Sequence, residues 1–138
     1  IDRLHALMNL IADEVAYVPG ATHAGTTAEE ATALRSGVCQ DHAHIFIAAA
    51  RSLGFPARYV SGYLLMDGAV DQVASHAWAE AHVSALGWVA FDVANRMSPD
   101  ERYVRLAVGR DYREANPVSG IRLGQAAEAL AVHITVEQ

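Results

Sequence analysis

The chain has 138 residues, 52% of them hydrophobic and 19% charged, enough to bury a core without metal or disulfide staples. Ten basic residues against sixteen acidic ones give a formal net charge of −6, the wrong sign for a surface that neutralises phosphates, so no nucleic-acid partner is expected. Every basic residue is arginine, so Schiff-base chemistry, a P-loop lysine and a polybasic membrane switch all lack their residue.

Leu4, Leu7, Met8, Ile11 and Val15 recur at helical spacing and stop before Pro19-Gly20, which predicts an amphipathic first helix. Thr27 followed by Glu30 has the spacing of a capping box and predicts a short helix from about Ala28 to Arg35, ended by Gly37. Cys39 to Leu53 reads as the central helix, closed by Gly54-Phe55-Pro56. Beyond it the composition turns to β-type residues. Arg58 to Leu65, Ser75 to Val83 and Trp88 to Val93 read as antiparallel strands, with turns at Gly68 and Gly87. Tyr103 to Val108 and Ala131 to Val136 are further strand candidates, and Arg110 to Gly124, with Pro117, Gly120 and Gly124, reads as an irregular loop. Helices first and strands after predict an α+β fold. No repeat or linker divides the chain, so one domain is expected over residues 1–138, and a start at Ile1 rather than Met suggests a piece of a longer protein. The longest apolar run, Ile45 to Ala50, is far below the roughly 18 residues of a membrane span, so no membrane partner is expected.

Cys39 is the only cysteine; it cannot form an internal disulfide and fits a reducing, cytoplasmic setting. It opens the central helix, where free backbone N–H groups and the positive end of the helix dipole favour a thiolate and can hold an oxyanion. A buried structural cysteine is the plain alternative. In Ser75-His76-Ala77-Trp78-Ala79-Glu80, strand alternation puts His76, Trp78 and Glu80 on one face, so His76 is the base candidate, or else a half-buried structural histidine. Asp92 ends the next strand and is either an orienting carboxylate or a turn residue. Loop parity separates the two readings. A three-residue loop over Ser84 to Leu86 pairs residue 83 with 87 and sets Trp78 opposite Asp92, so that His76 and Asp92 share a face one diagonal, roughly 7–8 Å, apart. A four-residue loop puts them on opposite faces. Cys39, His42, His44 and His76 also resemble a zinc ligand list, but His42 and His44 point different ways from one helix and no second Cys/His pair completes a tetrahedral set, so no metal is expected.

Gly37-Val38-Cys39-Gln40-Asp41, Ala57-Arg58-Tyr59-Val60-Ser61-Gly62-Tyr63, Ser75 to Glu80 and Gly87-Trp88-Val89-Ala90-Phe91-Asp92-Val93-Ala94-Asn95 resemble, in order and spacing, the motifs of the transglutaminase-like superfamily. Val108-Gly109-Arg110-Asp111-Tyr112, followed by Pro117 and Gly120, resembles the segment closing its bacterial branch, so the likeness covers roughly residues 26 to 124. The resemblance implies a papain-like transglutaminase core, with the cysteine-bearing helix packed on an antiparallel sheet. It implies Cys39 as nucleophile, His76 as general acid/base and Asp92 as its orienter, acting on a carboxamide or peptide bond of a peptide or protein substrate through a thioester, without a cofactor.

Departures from the family pattern are His42 where an aromatic residue is common and Val93 where proline is common; neither touches the three residues. Trp78 and Trp88 both lie downstream of Cys39, whereas animal transglutaminases place an oxyanion-holding tryptophan upstream, and no acidic cluster resembles a calcium cage. Peptidase or amidase activity is therefore expected over cross-linking, with a non-catalytic protein-binding module as the alternative. Asp41, His42 and His44 read as the polar side of the central helix or as groups near the cysteine, His44 first among them by resemblance. Asn95 and Arg110 read as structural support, and Tyr59, Tyr63, Trp78 and Trp88 as groove or core.

Overall fold

Leu4, Met8, Ile11 and Val15 are buried in a row, and the segment that carries the first three is helix α1, Asp2–Glu14. The computed structural model describes residues 1–66, 71–72, 74–120 and 131–136. After α1 come β1 (Ala16–Tyr17), α2 (Ala28–Leu34), β2 (Ser36–Gly37), α3 (Cys39–Ser52), β3 (Ala57–Leu64), β4 (Asp71–Gln72), β5 (His76–Val83), β6 (Gly87–Phe91), β7 (Tyr103–Gly109), α4 (Tyr112–Ala115) and β8 (Ile134–Thr135). No described helix is long and apolar enough to cross a membrane.

Local signals set the helix ends. The Thr27 hydroxyl accepts from the Glu30 N–H at 3.2 Å while the Thr27 N–H donates to Glu30 Oε2 at 2.8 Å, the reciprocal box read from the sequence. Helix α3 stops where Gly54 takes a left-handed φ of +86°, two residues before Pro56. The one-turn helix α4 corrects the reading of residues 110–124 as irregular. Asp111 accepts from the N–H groups of Arg113 and Glu114, and that cap makes a turn of helix before Pro117.

The main sheet has the order β6-β5-β3-β7 and its pairs are antiparallel. Its inner face is lined by Ala57, Tyr59, Ala77, Ala79, Ala81 and Phe91, all buried. Four alanines leave room for α3 to lie close to the sheet, and Phe46 of α3 stacks on Phe91 with ring centres 5.0 Å apart. Helix α1 packs against α3, and its His5 ring also meets Phe91 of the sheet, centres 5.2 Å apart. Among the described residues, the candidate strand over residues 131–136 is β8, Ile134–Thr135, which pairs with β4 in a separate ribbon. Gly68 and Gly124 lie outside the described residues. Helices segregated on an antiparallel sheet make this an α+β fold.

Candidate active site

The motif around Cys39 is built around a folded-back carboxylate. Asp41 Oδ2 accepts from the Val38 N–H at 2.8 Å and from the Thr22 hydroxyl at 2.6 Å, which ties the turn before Cys39 to the loop after β1. A Cβ at position 37 would lie 2.7 Å from the Asp41 side chain, so only glycine leaves that carboxylate its place. Strand β2 pairs in parallel with β1, Tyr17 beside Gly37, and brings the Tyr17 side chain into the cavity that holds Cys39. Cys39 itself is half-buried at the first position of α3.

On the sheet, Val83 pairs with Gly87 across Ser84 to Leu86, the odd loop length required for His76 and Asp92 to share a face. His76 Nε2 lies 2.6 Å from Asp92 Oδ2. Cys39 and His76 line the same cavity, and the ring's Nδ1 is the nitrogen that Asp92 leaves free. Burial pulls the imidazolium down, but the hydrogen bond to Asp92, the charge of that carboxylate and the nearby Cys39 side chain outweigh it, and the His76 pKa is raised to about 9.

Asp92 is fully buried, and its backbone is pinned in both directions by Met97. Its Oδ2 also accepts from Asn95 Nδ2 at 2.7 Å and from the Tyr103 hydroxyl at 2.8 Å. Burial raises the Asp92 carboxyl pKa, yet these donors and the His76 charge hold it below the ordinary carboxylate value. Burial, reinforced by the Asp92 charge, pushes the Tyr103 phenol upward, so it stays a protonated donor. Tyr103 and Trp78 meet edge to face at 5.4 Å, and the Trp78 ring lies 6.2 Å from His76. Gly62 makes that packing possible: a Cβ there would lie 1.9 Å from the Val104 carbonyl oxygen and 2.8 Å from the Trp78 ring. Behind Trp78, Glu80 is buried between Arg58 at 2.6 Å and Arg105 at 3.1 Å.

The structure thus sets His76 against Asp92 and lines one cavity with Cys39 and His76, drawing on the start of α3, the start of β5 and the residue after β6. It moves two other residues away from the role of a polar helix face. Asp41 and His42 are buried, and His42 Nε2 donates to the Val15 carbonyl at 2.8 Å, so these side chains brace α3 against the segment that leaves α1. His44 accepts from the Tyr112 N–H at 3.1 Å with its ring 4.9 Å from Tyr59; burial lowers its pKa, in keeping with a neutral acceptor. Among the described residues no three His, Cys, Asp or Glu side chains converge as metal donors. Asn95 supports Asp92 directly, whereas Arg110 pairs with Glu114 at the molecular edge. Tyr59 and Trp78 are core, and the Trp88 ring lies 4.0 Å beneath the Arg58 guanidinium. Tyr103 and Tyr17 carried no signal in the sequence reading; both reach the site through pairings distant in sequence, Leu64 with Tyr103 and Tyr17 with Gly37.

A cysteine on the first turn of a helix, facing histidine and aspartate on an antiparallel sheet, defines the papain-like class of α+β domain. The chain belongs to the transglutaminase-like superfamily, whose family model matches residues 1–93, ending one residue beyond Asp92. It is similar to an uncharacterized protein of Mycobacterium leprae, 38% identical over 125 residues, which covers 87% of this chain and 44% of that relative. An uncharacterized protein of Mycobacterium tuberculosis is 35% identical over 131 residues, covering 88% of this chain and 42% of the relative. Among solved structures, a “putative cysteine protease” from Cytophaga hutchinsonii superposes with a TM-score of 0.73 at 35% identity, over 83% of this chain and 38% of the other. The chain therefore spans less than half the length of the relatives it matches.

Proposed function

We propose that this protein is a thiol-dependent acyl-transfer enzyme, a peptidase or amidase rather than a cross-linking enzyme, with Cys39 as nucleophile, His76 as general acid/base and Asp92 as the group that orients His76. The observation that carries the reading is the 2.6 Å contact of His76 Nε2 with buried Asp92, which leaves the opposite ring nitrogen for a cysteine on the first turn of α3. The Cys39 thiolate attacks the carbonyl carbon of a carboxamide or peptide bond. The C–N bond then breaks as the His76 imidazolium gives its proton to the leaving amine, and a thioester remains. His76, now neutral, takes a proton from water as the water oxygen attacks the thioester; the C–S bond breaks, the acid leaves and the thiolate–imidazolium pair is restored. The free N–H groups at the start of α3 are the first oxyanion donors. The description of the Cytophaga hutchinsonii structure favours hydrolysis over transfer to an amine. The substrate on this reading is a peptide or protein.

The test is the rate of iodoacetamide labelling of Cys39 from pH 5 to 9, read by mass spectrometry on the wild type and on His76→Ala, with hydrolysis of a peptide mixture by the same samples. Fast labelling near pH 6 that is lost without His76, together with peptide cleavage, is the expected outcome. A Cys39 that labels like a free thiol in both proteins, titrating near pH 8.5, refutes the reading and leaves a protein-binding module.

A further inference from the structure

Two cavities meet at the residues just before His76. One, of about 180 Å³, holds Cys39, His76 and Tyr17. The other, of about 240 Å³, is walled by Tyr63, Tyr112, Pro117, Val118, Val132 and Ile134. Ala74 and Ser75 line both, so a two-residue ridge directly N-terminal to His76 separates the nucleophile's compartment from the second one. Among the described residues, none that lines this second compartment is charged. Val118 and Val132 are 53% and 50% exposed there, an apolar surface left facing solvent.

One wall is held in advance of any occupant: the Tyr112 N–H is fixed on His44 and its ring stands edge-on to Tyr59, centres 6.2 Å apart. The space lies below the roughly 300 Å³ at which whole small ligands begin to be enclosed, and suits one side chain of an extended chain that continues over the ridge. Resting on the reading of Cys39 as nucleophile, we propose that this compartment is a specificity subsite, and that the substrate is a peptide carrying an apolar side chain beside the amide that Cys39 attacks. Solvation holds a charged side chain out of such a space, whereas burying a leucine there favours the complex by at least about ten-fold.

Two pairs of alkylating probes test this without turnover: the chloromethyl ketones of acetyl-leucine and acetyl-aspartate for the acyl side, and iodoacetyl-leucinamide and iodoacetyl-aspartamide for the amine side. Cys39 should react with the leucine member at least ten-fold faster than the aspartate member in one pair, with saturation at high probe concentration. Val118→Asp should bring that ratio to one or below, and Val118→Ile, which keeps the wall apolar, should retain it. Ratios near one in both pairs, while plain iodoacetamide still labels Cys39 rapidly, overturn the subsite and spare the nucleophile. A leucine preference that disappears on raising the protein concentration puts a second copy of the chain in the cavity and also overturns the proposal. Failure of iodoacetamide itself removes both.

Discussion

Asp92→Asn keeps the shape of the side chain and removes its charge, so it isolates what the buried carboxylate does for His76. The rise of the His76 pKa from 6.5 to about 9 corresponds to about 3 kcal/mol in favour of the imidazolium, at roughly 1.4 kcal/mol per pH unit. With asparagine in place, the charge of Asp92 is gone while the burial of the ring, which works in the opposite direction, remains. His76 is then expected to titrate at least one pH unit lower and to approach 6.5. The assay is an NMR titration of histidine Cε1 resonances from pH 5 to 10, with His76 identified by the signal missing from His76→Gln. Across neutral pH the wild-type ring should be protonated; in Asp92→Asn it should lose its proton before pH 8. Peptide hydrolysis, where present, should fall on the order of 10³- to 10⁴-fold, as when the orienting carboxylate of such a triad is neutralised. A wild-type His76 that titrates near 6.5, or one still near 9 in Asp92→Asn, refutes the reasoning, because neither is compatible with a carboxylate that holds the ring charged.

Other predictions concern the residues around the site. Tyr103→Phe removes one of the donors to Asp92 and should cost about 1–2 kcal/mol in urea unfolding and about ten-fold in kcat, with KM unchanged. Gly62→Ala forces a methyl group against the Val104 carbonyl and the Trp78 ring, and a loss of about 3 kcal/mol is expected by the same measurement. His44 has a depressed pKa, so its contribution to stability is complete above pH 6.5 and is lost as the pH falls below that value and the ring protonates. Between pH 7.5 and 5.5 the wild-type urea midpoint should therefore fall relative to that of His44→Gln, which keeps an acceptor for Tyr112 without a titrating ring. Thr27→Ala breaks the cap of α2 and should cost about 1 kcal/mol.

The elements whose signals lie within a few neighbouring residues were legible in the sequence. The Thr27–Glu30 box and the Gly54 stop are local, and whether His76 and Asp92 share a face came down to the parity of one loop, which is odd in the structure. The turn of helix at α4 was hidden by Pro117 and Gly120, although Asp111 and Glu114 stand at capping spacing. Asp41 and His42 read as either the polar side of the helix or groups near the cysteine, and nothing in the helix pattern announces Thr22 or the Val15 carbonyl as their partners. Tyr103 was invisible for the same reason. Its place beside Asp92 depends on β7 joining the far edge of β3, a pairing across almost forty residues that no local periodicity encodes.

The order of the pieces along the chain has a consequence during biosynthesis. Cys39 emerges from the ribosome first, then His76, then Asp92 with Asn95, and Tyr103 last. Until the strand with Tyr103 has docked, Asp92 lacks one of its donors, and until β5 and β6 have closed, His76 has no partner to keep it charged beside the thiol. A nascent or partly folded chain therefore carries an ordinary cysteine, and the thiol gains its charged neighbour only when nearly all the sheet is in place. On the proposed reading of Cys39 as nucleophile, late assembly in this sense protects both the unfinished protein and its surroundings from a prematurely reactive sulfur.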